Sequence, residues 1–227
     1  MIVILASRHD AAASRLAARW APQQALRLTT DDLAAPGWRW TSGAGTPSGT
    51  MGSSGVAVPF GRIRGVVTRL ALVHEHELPF IDEVDRAYVS QEISAFLLAW
   101  LTGLSCPVLN RPSPTSLMGV GWRQEQWLSA AAEVGLPPRP LHRVLGRPAI
   151  ESPGGPVVRA TVVRDRVLGA PSTAVEAPLL ALARHAGVEL LAVSFTLLEQ
   201  RWWVLGVDPL VDVDDPAVAD TILEHLR

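Results

Sequence analysis

Segments typical of β-strands alternate with segments typical of α-helices along most of the chain. In the first half, an apolar strand at residues 2–6 precedes a helical pattern at 10–20, and a longer helical pattern occupies 85–103. Further patterns predict strands at 65–70 and 107–110, a helix at 122–134, a hairpin at 157–169, a helix at 175–186, strands at 189–196 and 201–207, and a helix that starts at Asp215-Pro216. Interleaved strands and helices define the α/β class, so we predict an α/β fold.

Composition excludes several classes of protein. The 227 residues are 48% hydrophobic and 19% charged, which is ordinary for a globular chain. A net charge of −2 gives no basic field, so we expect no nucleic-acid partner. The longest apolar run, residues 93–104, is too short and too interrupted to span a bilayer. The single Cys106 excludes an internal disulfide, and no signal peptide is apparent, so we expect a soluble cytoplasmic protein.

Two stretches rich in small residues and proline divide the chain. Residues 42–55 consist mostly of Gly, Ser and Thr and are predicted to be a flexible loop. A phosphate-binding glycine loop is disfavoured there, since no Lys-Ser/Thr pair follows. Residues 137–156 are rich in Pro and Gly, and we predict a domain boundary that separates residues 1–137 from 138–227.

Four segments, in order, resemble the RimK-type ATP-grasp ligases, especially those that make graspetide macrocycles. They are Val67-Thr68-Arg69, residues 107–112 with 122–138, residues 158–167, and the last two strands with the closing helix. The resemblance implies an ATP-grasp-like α/β fold with an N-terminal pre-ATP-grasp domain and a C-terminal α+β domain. Only residues 138–156 are left for the lid that covers adenine in the family. That interval holds about one hairpin or one short helix, so we predict a truncated domain that lacks most of the lid.

The sequence departs from the family pattern at the positions that bind metal and nucleotide in the family. Where the family's last strand carries a metal-binding Glu and Asn, this chain has Gly206 and Asp208, and where the preceding strand carries Asp, it has Ser194. Trp122-Arg123 replaces an Asn-Lys pair. The chain has no lysine at all: its twenty basic residues are arginines. GC-rich coding explains most of that loss, but a lysine on ATP phosphates is not reproduced by arginine's planar fork. We therefore expect no nucleotide, no metal and no cofactor.

No other segment carries a recognisable catalytic site. His74-Glu75-His76-Glu77 suggests a metal site, because alternate histidines share one face of a strand. No third ligand follows at a known spacing, so an exposed polar edge is the favoured interpretation. Cys106 has no indicated base, and no Gly-x-Ser-x-Gly elbow exists.

The resemblance therefore implies a non-catalytic protein that binds a precursor peptide in the biosynthesis of a ribosomally made, modified peptide. Alternatives are a divergent ligase with an unusual nucleotide site and a structural subunit of an active ligase. A homodimer is expected, because relatives are often dimeric and exposed tryptophan needs cover. The candidate peptide-binding residues combine cations, tryptophans and one acid: Arg69, Arg123, Arg159, Trp122, Trp127, Trp202 and Asp208.

Two alternatives remain for these residues. Trp122 and Trp127 lie five apart on the predicted helix, so one of them should be exposed, and adjacent Trp202 and Trp203 must face opposite sides of their strand. One alternative is that the tryptophans fill space in the core. The other is that Arg69 and Arg159 pair with internal carboxylates such as Glu92 or Asp85.

Overall fold

The computed structural model describes residues 1–43, 45–53, 55–140 and 154–226. The chain forms two compact units, one of Met1–Gly121 with Val213–Arg227 and one of Trp122–Asp212. The strands are β1 (Ile2–Ala6), β2 (Ala25–Leu28), β3 (Arg39–Gly43), β4 (Gly45–Ser53), β5 (Val56–Pro59), β6 (Gly65–Arg69), β7 (Val108–Leu109), β8 (Val157–Val163), β9 (Arg166–Leu168), β10 (Leu190–Leu198) and β11 (Arg201–Asp208). The helices are α1 (Ala11–Arg19), α2 (Thr30–Ala34), α3 (Glu83–Gly103), α4 (Gln124–Glu133), α5 (Glu176–Ala186) and α6 (Pro216–His225).

A four-stranded parallel sheet forms the centre of the first unit. Its strand order is β2-β1-β6-β7, with β1 paired to β2 on one side and to β6 on the other. Every residue of β1 is fully buried, as expected for a parallel strand that is covered on both faces. The predicted strands at residues 2–6 and 65–70 are confirmed.

An internal ion pair joins the start of α1 to the end of β6. Asp10 caps α1 by accepting a hydrogen bond from the backbone N–H of Ala13 at 2.9 Å, and it also accepts one from Nε of Arg69 at 2.8 Å. The side chains are only 7% and 14% exposed for Arg69 and Asp10 respectively. One carboxylate therefore holds both the first turn of α1 and the last residue of β6.

The glycine-rich stretch forms strands, which corrects the prediction of a flexible loop at 42–55. Strands β3, β4 and β5 pair in an antiparallel sheet, and Met51 of β4 is fully buried. The glycines allow close backbone contacts: a Cβ at Gly49 would collide with the carbonyl oxygen of Arg39, and one at Gly52 would lie 2.9 Å from the carbonyl oxygen of Pro36. These glycines allow close packing of the backbone and do not indicate a flexible loop.

The long helix α3 covers the core of the first unit, and its prediction at 85–103 is confirmed. Leu97, Trp100 and Leu101 are buried against strands β1 and β6. Trp100 packs edge-on against Trp38 with ring centroids 5.5 Å apart. Within the described residues, no helix combines the length and apolar character that crossing a membrane requires.

The second unit is built on an antiparallel sheet of order β11-β10-β8-β9. Strand β10 is the longest and pairs with β8 on one side and β11 on the other. Helix α5 packs on this sheet, and α4 packs against both α5 and β11. The predicted hairpin, helix and final two strands are all present.

The two units differ from the predicted domains 1–137 and 138–227 at both ends of the second domain. Helix α4 lies with the second unit because its buried side chains pack against β11 and α5. Helix α6 lies with the first unit, where the side chain of Leu226 fills the space that a Cβ at Gly65 would occupy. Two exposed ion pairs, Arg15–Asp214 and Arg19–Asp220, join the same C-terminal segment to α1. The interval 138–156, on which the truncated lid was predicted, lies mostly outside the described residues.

The Arg69–Asp10 pair generates a stability prediction. Arg69→Ala should lower the free energy of unfolding by about 3–5 kcal/mol, because it leaves the carboxylate of Asp10 largely buried without its partner. Arg19→Ala, which removes a pair that lies in solvent, should cost less than about 1 kcal/mol. Urea denaturation followed by circular dichroism measures both. Equal, small losses for the two variants would contradict the role of the buried pair.

Candidate functional site

Three residues of the second unit form a row across three neighbouring strands. Ser194 on β10 lies opposite Arg159 on β8 and opposite Gly206 on β11. Cross-strand partners project from the same face of a sheet, so this face presents a guanidinium, a hydroxyl and a bare backbone side by side. We call Arg159, Ser194 and Gly206 the Arg159 row.

Arg159 and the predicted acidic residue Asp208 both bind the backbone of Leu210. Nη2 of Arg159 donates to the carbonyl oxygen of Leu210 at 2.8 Å, and Oδ1 of Asp208 accepts from the N–H of Leu210 at 2.8 Å. Both side chains are exposed. The cation and the acid thus meet at one peptide segment directly after β11.

A β-bulge in β11 adjoins the row. Gly206 lies opposite Ser194 and Val204 lies opposite Phe195, so Leu205 has no partner on β10. The side-chain amide of Gln124 donates to the carbonyl oxygen of Leu205 at 3.4 Å. Its Nε2 also lies 3.0 Å from the position of a Cβ at Gly206. A long side chain at position 206 would have to displace Gln124.

The bulge decides which tryptophan shares a face with Arg159. Trp203 lies opposite Thr196, two residues from Ser194, and therefore projects on the face of the Arg159 row, whereas Trp202 lies opposite Leu197 and projects on the other face. The two tryptophans do face opposite sides, as predicted, but the candidate Trp202 lies on the face opposite to the Arg159 row. Arg201 stacks over the ring of Trp203 at 4.9 Å.

Trp122 and Trp127 are arranged differently from the helical spacing that was predicted. Helix α4 begins at Gln124, so Trp122 and Arg123 precede it. The ring of Trp122 folds back onto that of Trp127, with centroids 4.8 Å apart. Trp127 is only 2% exposed and belongs to the core, whereas Trp122 is half-buried and Arg123 is exposed.

Arg69 belongs to the first unit, and its partner Asp10 is an internal carboxylate. The alternative that Arg69 satisfies such a group is therefore realised, although with Asp10 in place of Glu92 or Asp85. Nearby, the hydrogen bond from Arg15 lowers the pKa of Asp214, and the charges of Arg15 and Arg69 lower it further.

The histidine segment is a polar edge rather than a strand. His74 caps a short 3-10 turn and His76 lies within it, with their exposed rings stacked 5.5 Å apart. Glu77 is buried and accepts hydrogen bonds from the hydroxyl of Ser7 and the N–H of Arg8. Across the described ranges, no group of three His, Cys, Asp or Glu side chains is arranged to hold a metal ion. Burial raises the pKa of the Cys106 thiol, which disfavours a nucleophilic thiolate.

Solved structures share the whole architecture. The macrocyclase MdnC from Microcystis aeruginosa, bound with its precursor peptide MdnA, superimposes with a TM-score of 0.72 at 14% identity, covering 100% of this chain and 99% of that one. The macrocyclase MdnB from the same organism gives a TM-score of 0.69 at 16% identity, covering 98% of each chain. A RiPP-associated ATP-grasp ligase from Chryseobacterium gregarium, in complex with ADP and a leader and core peptide, gives 0.68 at 12% identity, covering 99% and 96%.

The chain therefore has an ATP-grasp fold, as predicted. More particularly, the solved structures that it resembles are the ATP-grasp ligases of ribosomally synthesised and post-translationally modified peptides. At identities of 12–16%, the likeness shows the fold. No protein-family model and no curated protein matches the sequence. The truncated lid stays a prediction.

Trp127 and Trp122 allow a test of which tryptophan is structural. Trp127→Ala should lower the free energy of unfolding by about 3–5 kcal/mol, because it empties a buried position. Trp122→Ala should cost about 1 kcal/mol, since it removes mainly an edge-on ring contact. Chemical denaturation of both variants measures the difference. A loss for Trp122→Ala as large as that for Trp127→Ala would contradict this assignment.

Proposed function

We propose that this protein is a non-catalytic ATP-grasp-like protein that binds a precursor peptide. It acts as an accessory factor in the biosynthesis of a ribosomally synthesised, modified peptide in the bacterial cytoplasm. The observation that carries the proposal is the Arg159 row, which keeps a cation at the sheet face and has no carboxylate at Ser194 or Gly206, two of the three positions where the resemblance places metal ligands.

The pairing of Ser194 with Gly206 supports the assignment of those two positions. Two residues that hold one metal ion must lie side by side, and Ser194 and Gly206 are direct cross-strand partners. Magnesium takes oxygen ligands, mostly carboxylates, phosphates and water. A serine hydroxyl is at most one neutral ligand, a glycine side chain supplies none, and Asp208 uses one carboxylate oxygen on the backbone of Leu210. The residues of the row therefore do not fit a magnesium–nucleotide site.

The complete absence of lysine supports the same conclusion. Lysine binds nucleotide phosphates as a compact, flexible charge, which a planar guanidinium does not replace. All twenty basic residues here are arginines. Loss of metal ligands and loss of phosphate ligands are independent features, and both disfavour ligation.

The chemistry of Arg159 suits a carboxylate of a peptide. A guanidinium has five N–H donors and can bind a carboxylate through two parallel hydrogen bonds. One donor binds the carbonyl of Leu210, which orients the side chain. Trp203, on the same face of the sheet, offers an aromatic surface for an adjacent peptide side chain. Several of the similar structures were solved with precursor peptides, which supports a peptide as the ligand.

The proposal includes a homodimer, but the tryptophans do not supply its surface. Trp20, Trp100 and Trp127 are buried within the chain, and the remaining described tryptophans are half-buried or pack in aromatic clusters. The apolar surface that a dimer would cover must therefore come from other residues.

The absence of a nucleotide site is directly testable. Titration calorimetry of the full chain with Mg-ATP should give no saturable heat, because neither Ser194 nor Gly206 supplies a metal ligand and no lysine binds phosphate. Titrations with ATP alone and with Mg²⁺ alone are the controls. A stoichiometric site of low-micromolar affinity would overturn the non-catalytic assignment and favour a divergent ligase.

Arg159 provides the test of peptide binding. With fluorophore-labelled peptides encoded beside the gene as probes, Arg159→Ala should weaken binding by well over about tenfold, since truncating one partner of a charge pair that the bound peptide buries costs about 2–5 kcal/mol. Arg159→Lys should restore part of the loss, because it keeps the charge without the fork. Fluorescence anisotropy measures the affinities.

Arg184→Ala is the matched control, because Arg184 is an exposed arginine on helix α5 of the same unit. It should leave peptide affinity unchanged. Equal affinities for the parent and Arg159→Ala would exclude this row as the peptide site. Absence of binding by the parent chain to any of these peptides would favour a structural subunit instead.

A further inference from the structure

Helix α3 carries a second, largely apolar face whose N-terminal half, at Val84 and Tyr88, is exposed to solvent. Its inner face is buried in the core through Leu97, Trp100 and Leu101. The opposite face carries Val84, Tyr88, Gln91, Ala95 and Leu98, which we call the outer stripe. Val84 is 93% exposed and Tyr88 is 66% exposed. A helix that is apolar on both sides is normally buried on both, so this face indicates a partner.

The outer stripe has the spacing of a helix-pairing seam. Its members recur at intervals of four and three residues, and this pattern keeps one face of a helix against a neighbouring helix. At 3.6 residues per turn, they fall within a band of about 80° on the helix surface. The single polar member, Gln91, lies in the middle. A central glutamine can donate to and accept from another glutamine amide, and one polar seam residue sets the register of a helix pair.

The outer stripe carries a projecting side chain and also borders a cavity. Tyr88 projects into solvent, and a cavity of about 310 Å³ opens beside the C-terminal half of the stripe. This cavity is lined by Ala95 and Leu98 of the stripe and by residues of the loops that follow β6 and β7: Leu72, Val73, His74, Ser113, Ser116 and Leu117. The seven-residue interval from Tyr88 to Ala95 corresponds to about 10 Å along the helix.

We propose that the outer stripe is the homodimer interface, with α3 of two copies packed antiparallel about a two-fold axis at Gln91. This inference rests on the homodimer part of the proposed function and specifies its surface. A two-fold interface must be self-complementary: each patch must contact its own counterpart. With the axis at Gln91, Tyr88 of each copy faces Ala95 and the hollow of the other, and Val84 faces Leu98. The large exposed side chains meet the small residue and the cavity.

Charge determines the direction of pairing. Glu83 and Asp85 lie in the first turn of α3, Asp82 precedes it, and the last turn contains no basic residue. A parallel pair would place these carboxylates against their own copies. The antiparallel pair separates them by roughly 18 Å or more along the axis, well beyond the screening length of about 8 Å at physiological salt.

A second copy fits this surface better than an unrelated helical peptide. The cavity beside Ala95 can accept a large side chain that lies two helical turns from a small one. In α3, Tyr88 and Ala95 have that spacing. The acidic rim would instead select a basic peptide, and no feature of the stripe requires one. Dimerisation that needs no added peptide therefore distinguishes the two occupants.

Sedimentation velocity of the full chain across the micromolar range tests the interface. We expect a monomer–dimer equilibrium whose dissociation constant rises at least about tenfold in Tyr88→Glu and in Val84→Glu, because each places a charge in an apolar contact. The matched control is Val56→Glu, at another exposed valine (62%) on β5, which should stay within about twofold of the parent. Thermal melts confirm that each variant is folded.

Cross-linking of single cysteines tests the register. In a Cys106→Ser background, Gln91→Cys should form a covalent dimer with a short bifunctional maleimide, since the two copies meet at the axis. Val84→Cys should not, because its copies lie roughly 21 Å apart along the axis of the antiparallel pair. Cross-linking at both positions would indicate parallel pairing and overturn the model. A parent chain that stays monomeric, or a dimer unaffected by Val84→Glu and Tyr88→Glu, would overturn the interface.

The test of the dimer interface does not depend on the peptide site. Peptide affinity of the Tyr88→Glu monomer, measured by anisotropy with the same labelled peptides, separates failure of the interface from failure of the proposed function. We expect the monomer to retain the parent's affinity, because the outer stripe and the Arg159 row share no residue. Loss of peptide binding in folded Tyr88→Glu with dimerisation unchanged would show that the stripe binds the peptide and would reject the dimer assignment.

Discussion

The position of β10 between β8 and β11 is the constraint on which the candidate site depends. Because β10 pairs with both neighbours, Ser194 brings Arg159 of one strand and Gly206 of the other onto a single line. The opposite face of the same strands is buried through Ala160, Val193 and Phe195. On the face of the Arg159 row, Thr161, Ala192 and Thr196 are buried as well, so Arg159 is an exposed side chain on a sheet face that is partly covered.

Periodicity allowed much of this architecture to be predicted from the sequence. The buried strand β1 and the long helix α3 have strong, uninterrupted patterns, and both were located closely. The bulge at Leu205 has no such signal. Counting in twos from Gly206 places Trp202 on the displayed face, whereas one unpaired residue exchanges Trp202 for Trp203. One extra residue in a strand therefore changes which side chains belong to a site.

Glycine and arginine show why composition alone was insufficient elsewhere. The run at 42–55 reads as a loop because glycine is flexible, but Gly49 and Gly52 occur where a side chain would meet neighbouring backbone. The sequence alone does not distinguish Arg69 from Arg159, because each lies in a segment with a β-strand pattern. Only the fold brings Asp10, 59 residues away in the chain, to Arg69, while Arg159 stays exposed beside Leu210.

Under the proposed function the chain has lost metal ligands of its fold, and its sheet keeps its shape because the strands are joined through their backbones. Neither Ser194 nor Gly206 carries a charge that needs a partner in the sheet. The hydrogen bonds of β10 with β8 and β11 involve only backbone. Gln124 occupies the space beside Gly206 and binds the carbonyl oxygen of Leu205. The backbone at the bulge is thus satisfied without a ligand. Arg159 is oriented by the carbonyl oxygen of Leu210 and uses neither Ser194 nor Gly206, so the peptide recognition that we propose needs no metal ligand at those two positions.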